Sequence, residues 1–129
     1  MGAPVLIRPA EAGDLSFMLD SAWRSMRAHP ATDMLAPHQV GELLAPLLAG
    51  WETLVAADPD YPQVILSWLC FRDHKTVAWA YTKPHHRKRG ALRSLAAVAG
   101  LEREFDMPFP STVRFVQWRP RWRPFLVLT

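Results

Sequence analysis

Thr76-Val77-Ala78-Trp79-Ala80-Tyr81-Thr82-Lys83-Pro84-His85-His86-Arg87-Lys88-Arg89-Gly90 is the stretch from which the rest of the chain is read. Its first seven residues are β-branched, aromatic or small and form a strand, which Pro84 ends. A run of cations leads to Gly90, and an apolar helix pattern (Ala91, Leu92, Leu95, Val98, Ala99) begins immediately after it. The first backbone N–H groups of a helix have no intrahelical acceptor and carry the positive end of its dipole. Strand, basic loop and helix start therefore read as a cradle for a phosphate group.

Upstream of this stretch the pattern is a three-stranded meander. Glu52 to Ala57 and Val64 to Phe71 are strands around an Asp58–Pro62 turn, and Arg72-Asp73-His74-Lys75 is a tight polar turn into Thr76 to Thr82. The middle strand is apolar almost throughout, so it belongs at the centre of a sheet covered on both faces, with Cys70 as a buried small hydrophobe. Ahead of the meander, Val5 to Ile7 form a short strand. Leu15, Met18, Leu19, Ala22 and Met26 mark one face of a helix from Leu15 to Ala28, with Asp14 placed to cap it. A weaker helix lies between Ala31 and Gly50. Pro37 suits its first turn, and Pro46 is expected to kink or break it near Ala45.

Downstream, the helix after Gly90 is expected to run to about Phe105. Met107 to Pro110 then separates it from a strand over Thr112 to Trp118, parallel to the strand before the helix, and a last strand spans Phe125 to Leu128. The intervening Trp118–Pro124 segment holds too many prolines for a helix.

The 129 residues are expected to form a single domain over 1–129 with a substantial core. One cysteine excludes an internal disulfide and any multi-cysteine metal site, and no metal is expected from the histidines either. The absence of a cationic leader or a long apolar run points to a soluble, cytoplasmic protein without membrane contact. Residues 1–82 carry a net charge of −4 and residues 83–129 one of +7. The basic half is expected to meet an anionic partner.

The order strand, helix, helix, meander, helix, strand, strand resembles the Gcn5-related N-acetyltransferases, and the opening stretch resembles their acetyl-coenzyme A signature. The frame matches at Tyr81, Pro84, Arg87 and Gly90, and the N-terminal Ile-Arg-Pro-Ala-Glu-Ala-Gly-Asp-Leu is similar to how such domains begin. The resemblance implies an α/β fold, a mixed, mostly antiparallel sheet with helices on both faces and a shortened C-terminal part. It implies acetyl-coenzyme A or coenzyme A as cofactor. The pyrophosphate would lie on the backbone of Arg87, Lys88, Arg89, Gly90, Ala91 and Leu92 beside Arg93, and the pantetheine arm along Ala80, Tyr81 and Thr82. It further implies acetyl transfer to an amine, with a main-chain oxyanion donor near Tyr81.

The family's usual small residue is replaced here by Leu92, and prolines fall where its fourth helix, often bearing a proton-donating tyrosine, would stand. The chain's tyrosines are Tyr61 and Tyr81. Glu52 and Tyr81 are the candidate catalytic residues, Glu52 as a base acting through water. A homodimer could complete the acceptor pocket. Two other functions are compatible with the sequence: a degenerate binding or assembly module of the same fold, with coenzyme A or without, and a nucleic-acid binder using the Trp/Arg tail from Trp118 to Arg123.

Overall fold

A computed structural model describes residues 4–28, 30, 32–87, 90–102, 104–107 and 119–122. The strands are β1 (Leu6–Pro9), β2 (Glu52–Ala57), β3 (Ile65–Arg72), β4 (Thr76–Thr82), β5 (Glu104–Met107) and β6 (Arg119–Trp122), and the helices are α1 (Leu15–Arg27), α2 (Pro37–Gly50) and α3 (Ala91–Ala99). The strands form one sheet in chain order. β1 to β4 pair antiparallel, whereas β4, β5 and β6 pair parallel. The change of direction requires a crossover between β4 and β5, and α3 supplies it.

The sheet is covered on both faces, as the mixed α/β reading expects. Alternation along β3 sends Trp68 and Cys70 to a core shared with Met18, Ala22 and Met26 of α1 and Val40, Leu44 and Leu47 of α2. It sends Leu69 and Phe71 to a second core with Ala91, Leu95 and Ala99 of α3 and Phe105 and Met107 of β5. β3 is buried over its first seven residues because it carries apolar side chains on both faces. Ser21 supplies a polar tie within the first core, its hydroxyl accepting from the Trp68 indole N–H at 2.8 Å and donating to the Met18 carbonyl at 2.9 Å.

Several expectations change. Helix α3 stops at Ala99 rather than near Phe105, because Gly100 takes a left-handed conformation at φ +68°. The Gly100 N–H then bonds Ala97 O and the Leu101 N–H bonds Ala96 O, the paired closure of a Schellman end. The residues freed from the helix become β5, so the strand parallel to β4 is Glu104–Met107. The expected strands at 112–118 and 125–128 lie outside the described residues. The Trp/Arg/Pro segment is extended as β6 at Arg119–Trp122.

Helix α2 runs unbroken through Pro46 to Gly50. Pro46 is exposed, so water can serve the backbone carbonyl that its missing N–H leaves without a partner. Leu15 and Val98, each expected on an inner face, are exposed instead. The Asp14 side chain makes no hydrogen bond as a cap on α1. It accepts from the Glu11 N–H at 2.8 Å and receives both arms of Arg8 at 2.7 and 3.1 Å, tying β1 to the start of α1. Arg8 also donates to Pro62 O, at 3.1 Å. Such bidentate charge-assisted bonds are stronger than a neutral cap, so the carboxylate turns to Arg8.

Candidate functional site

β4 is built in two halves. At its start Thr76 registers with Asp106 of β5, and the Asp106 N–H donates to Lys75 O at 2.6 Å. Beyond Thr76 that edge of β4 has no strand partner among the described residues. The other edge stays paired to β3 through Ser67↔Thr82. A register shift leaves Ala78 as an extra residue, since Phe71 pairs with Val77 and Cys70 with Trp79. Ala78 and Trp79 both join the α1/α2 core, whereas Val77 and Ala80 join the α3 core.

The ladder fixes which backbone groups face the open edge. The Lys83 N–H donates to Leu66 O at 2.8 Å, which makes Lys83, and by alternation Tyr81, a residue whose main chain faces β3. The Ser67 hydroxyl, fully buried, donates to Tyr81 O at 2.7 Å and lies 3.0 Å from the Thr82 hydroxyl. The main-chain groups of Ala80 and Thr82 therefore point to the open side. The Tyr81 N–H faces β3, so the main-chain N–H groups near Tyr81 that face the other edge are those of Ala80 and Thr82.

After Thr82 the chain makes a short 3-10 turn at Pro84–His86 and becomes extended at Arg87. The Arg87 Nε–H donates to Thr82 O at 3.3 Å, closing the loop onto the open edge. Lys88 and Arg89 lie outside the described residues. Gly90 then sits at φ +85°, ψ 3° as the residue preceding α3. A side chain there would be strained, and its absence allows a ligand to approach the backbone. The first bond of α3 runs from the Ser94 N–H to Gly90 O at 2.9 Å, so the amides of Ala91, Leu92 and Arg93 have no intrahelical acceptor. Leu92 is half-buried and packs against the α3-side core. Its bulk is spent on the sheet.

The fold thus gathers Ala80, Tyr81, Thr82, Arg87, Gly90, Ala91, Leu92 and Arg93 around the end of β4 and the start of α3. Glu52 is not gathered with them. It is the exposed first residue of β2, opposite Phe71, whereas Tyr81 is opposite Trp68, itself opposite Val55. Two strand spacings and three residues along β2 separate Glu52 from Tyr81 by on the order of 14 Å.

His85 is exposed and His86 half-buried in the 3-10 turn, and His74 serves the other end of α3, its Nδ1 lying 2.8 Å from Ala99 O. Among the described residues no group of three or more His, Cys, Asp or Glu is arranged to hold a metal ion. Burial pushes the Cys70 thiol up to about 11, with a smaller opposing effect from Thr53, which leaves it a poor nucleophile.

Two neighbours of the site were not singled out in the sequence. Phe17 of α1 stands edge-on to Tyr81, ring centroids 6.1 Å apart, and the Lys83 ammonium lies 5.3 Å from the Phe17 ring centre. The period of two along β4 carries the signal for Lys83, since it puts Tyr81 and Lys83 on one face. Nothing local marks Phe17 as their neighbour.

These elements define a Gcn5-related N-acetyltransferase fold: a mixed sheet, a parallel strand pair joined among the described residues at its start, and a glycine-led helix between the two. Solved structures bear this out. The chain is similar to a Gcn5-related N-acetyltransferase from Rhodopseudomonas palustris (19% identity, TM-score 0.51, covering 78% of this chain and 70% of that one). It is also similar to an acetyltransferase with acetyl-coenzyme A from Clostridium acetobutylicum (16% identity, TM-score 0.51, covering 84% and 82%). A possible acetyltransferase from Clostridium difficile 630 gives a TM-score of 0.58 at 13% identity, covering 75% and 69%. No protein-family model and no curated protein sequence matches the chain. Among the described residues no helix is long and apolar enough to cross a membrane.

Proposed function

We propose that the chain belongs to the Gcn5-related N-acetyltransferases, binds acetyl-coenzyme A and directs its acetyl group to an amine. The observation that carries this reading is the edge of β4 at Ala80 and Thr82, which has no strand partner among the described residues, followed along the chain by the amides of Ala91, Leu92 and Arg93, which have no intrahelical acceptor. An amide-bearing arm can pair with an unpaired strand edge, and a pyrophosphate suits free amides at a helix start. Arg87 and Arg93 add positive charge on that side, with Lys88 and Arg89 between them in sequence. The acetyl-coenzyme A held by the Clostridium acetobutylicum structure of this fold supports the same ligand.

Bound there, acetyl-coenzyme A supplies an acetyl group activated as a thioester. The chain's own part is to orient and polarise. The open-edge N–H groups of Ala80 and Thr82 are the donors available to a carbonyl oxygen on which negative charge develops. Glu52 would receive a proton from the amine only along a chain of waters, and Tyr81 borders the gap with its ring against Phe17. On this reading Glu52→Gln lowers turnover by less than tenfold. The distance of Glu52 from the gap also favours a second reading, a coenzyme A-binding module without turnover.

Calorimetry of the full chain with acetyl-coenzyme A and with coenzyme A tests the first claim. Binding in the micromolar range is expected, and no heat at millimolar ligand would overturn it. Release of free thiol in the presence of an amine panel separates the enzyme from the module.

A further inference from the structure

Among the described cations of the basic loop, Lys83 lies against Phe17 of α1. Alternation along β4 puts Tyr81 and Lys83 on the face covered by α1 and α2, opposite to the face on which α3 packs. The observed contacts agree, because the Lys83 ammonium sits 5.3 Å from the ring centre of Phe17, an α1 residue that packs against the same core as Tyr81. Lys83 is half-buried, whereas Arg87 and Arg93 are exposed. Two carboxylates carried by or next to α1 have cationic partners of their own. Asp14 is held by Arg8, and Asp20, three residues beyond Phe17 on α1, is held by Arg24 at 3.1 Å. Among the described residues no carboxylate lies within ion-pair distance of Lys83.

An ammonium over an aromatic face on a half-buried residue, at the end of β4 and with no carboxylate in ion-pair reach among the described residues, attracts an anion. We infer that Lys83 and Phe17 form the acceptor-recognition corner, and that the acceptor is a small primary amine that also carries an anionic group, such as an α-amino acid carboxylate. This rests on the acetyl-transfer reading. Lys83 would hold the carboxylate, and Phe17 and Tyr81 would present apolar surface to the acceptor's carbon skeleton. Polyamines and strongly cationic peptides would be disfavoured, because a fixed positive charge stands beside Phe17 at the end of β4.

The test compares thiol release from acetyl-coenzyme A with a panel of L-α-amino acids against their C-terminal amides, which keep the amine and side chain and remove the anion. The expected result is at least a tenfold preference in kcat/KM for the acids. In Lys83→Met, which keeps an unbranched apolar stem without the charge, that preference collapses towards one, and Lys83→Arg restores it. Acetyl-coenzyme A affinity is measured in parallel by calorimetry. Equal use of acids and amides, a preference untouched by Lys83→Met, or a coenzyme affinity that falls in step with the preference would each overturn the assignment. If acetyl-coenzyme A binds but no amine turns over, acetyl transfer itself fails. Calorimetry of the same amino acids with the coenzyme A-loaded protein then decides the corner separately: binding weakened tenfold in Lys83→Met supports it, and no binding at 10 mM amino acid, on the order of the weakest useful affinity, sinks it.

Discussion

The two halves of β4 are one strand with opposite fates. Thr76 is paired on both edges, to Arg72 of β3 and Asp106 of β5, and Thr76 to Ala78 is buried, with Phe105 of β5 in the same α3-side core as Val77. Ala80 to Thr82 has β3 on one edge and no strand on the other among the described residues. Local composition does not account for the difference, since each half combines a small residue with strand-favouring β-branched or aromatic ones. What separates them, among the described residues, is β5, whose Glu104–Met107 registers with β4 at Thr76. The closed half provides rigidity. The open half exposes backbone donors and acceptors that a ligand can take.

The largest effect is expected from damaging the closed half. Phe105→Ala removes a fully buried ring between β5 and α3 and should cost about 3–5 kcal/mol. Urea unfolding should show this as a large fall in midpoint, and a change under 1 kcal/mol (about a fivefold shift in the folding equilibrium) would mean that β5 does not clamp β4.

Damage to the open side should act on ligand rather than on fold. Gly90→Val places a β-branched residue at φ +85°, at a conformational cost of about 1–3 kcal/mol. Acetyl-coenzyme A affinity should drop at least tenfold by calorimetry, and an unchanged affinity would remove the cradle from the binding site.

The Arg8–Asp14 tie should matter less than the ring. Chiefly through the Arg8 hydrogen bonds, the Asp14 carboxyl titrates below its ordinary range of about 4, against an opposing desolvation. A depressed folded-state value means that this stabilisation is complete above the unfolded value and is lost as pH falls through the folded one. Asp14→Asn should therefore cost about 1–3 kcal/mol at pH 7, and the difference from the parent should shrink below pH 4. A pH-independent difference would assign the effect to packing.

The smallest expected effect is at Cys70, in the middle of β3. Its buried thiol should resist alkylation by iodoacetamide at pH 8 in the native protein and react on unfolding. Rapid native-state labelling would show that the central strand opens.

Much of this was legible locally. The period-two runs of the meander, the continuous apolar character of β3, the turn at Asp73-His74 and the glycine before α3 all declare themselves through side-chain pattern and allowed backbone angles. Asp73 and His74 do take left-handed φ values, +62° and +81°. The end of α3 was misread because its apolar residues continue past Gly100, and helical period does not register a left-handed stop. Asp14 was misread because a cap and a salt bridge ask for the same residue, and only the position of Arg8 on β1 chooses between them. The contact between Phe17 and Lys83 spans 66 positions, and no local rule could reveal it.

The sequence by itself determined the strand, the stop and the glycine of the cradle, because those depend on steric rules that act between near neighbours. It also carried the fold class, through element order and the two-sided burial of β3. Only the tertiary arrangement sets that, among the described residues, β5 pairs with β4 at Thr76 and not at Ala80 to Thr82, which main-chain groups face that edge, and that Lys83 lies on the far face from α3. Those outcomes depend on register and on which segment comes to lie beside which, and a one-residue change in register reverses the face of every side chain that follows.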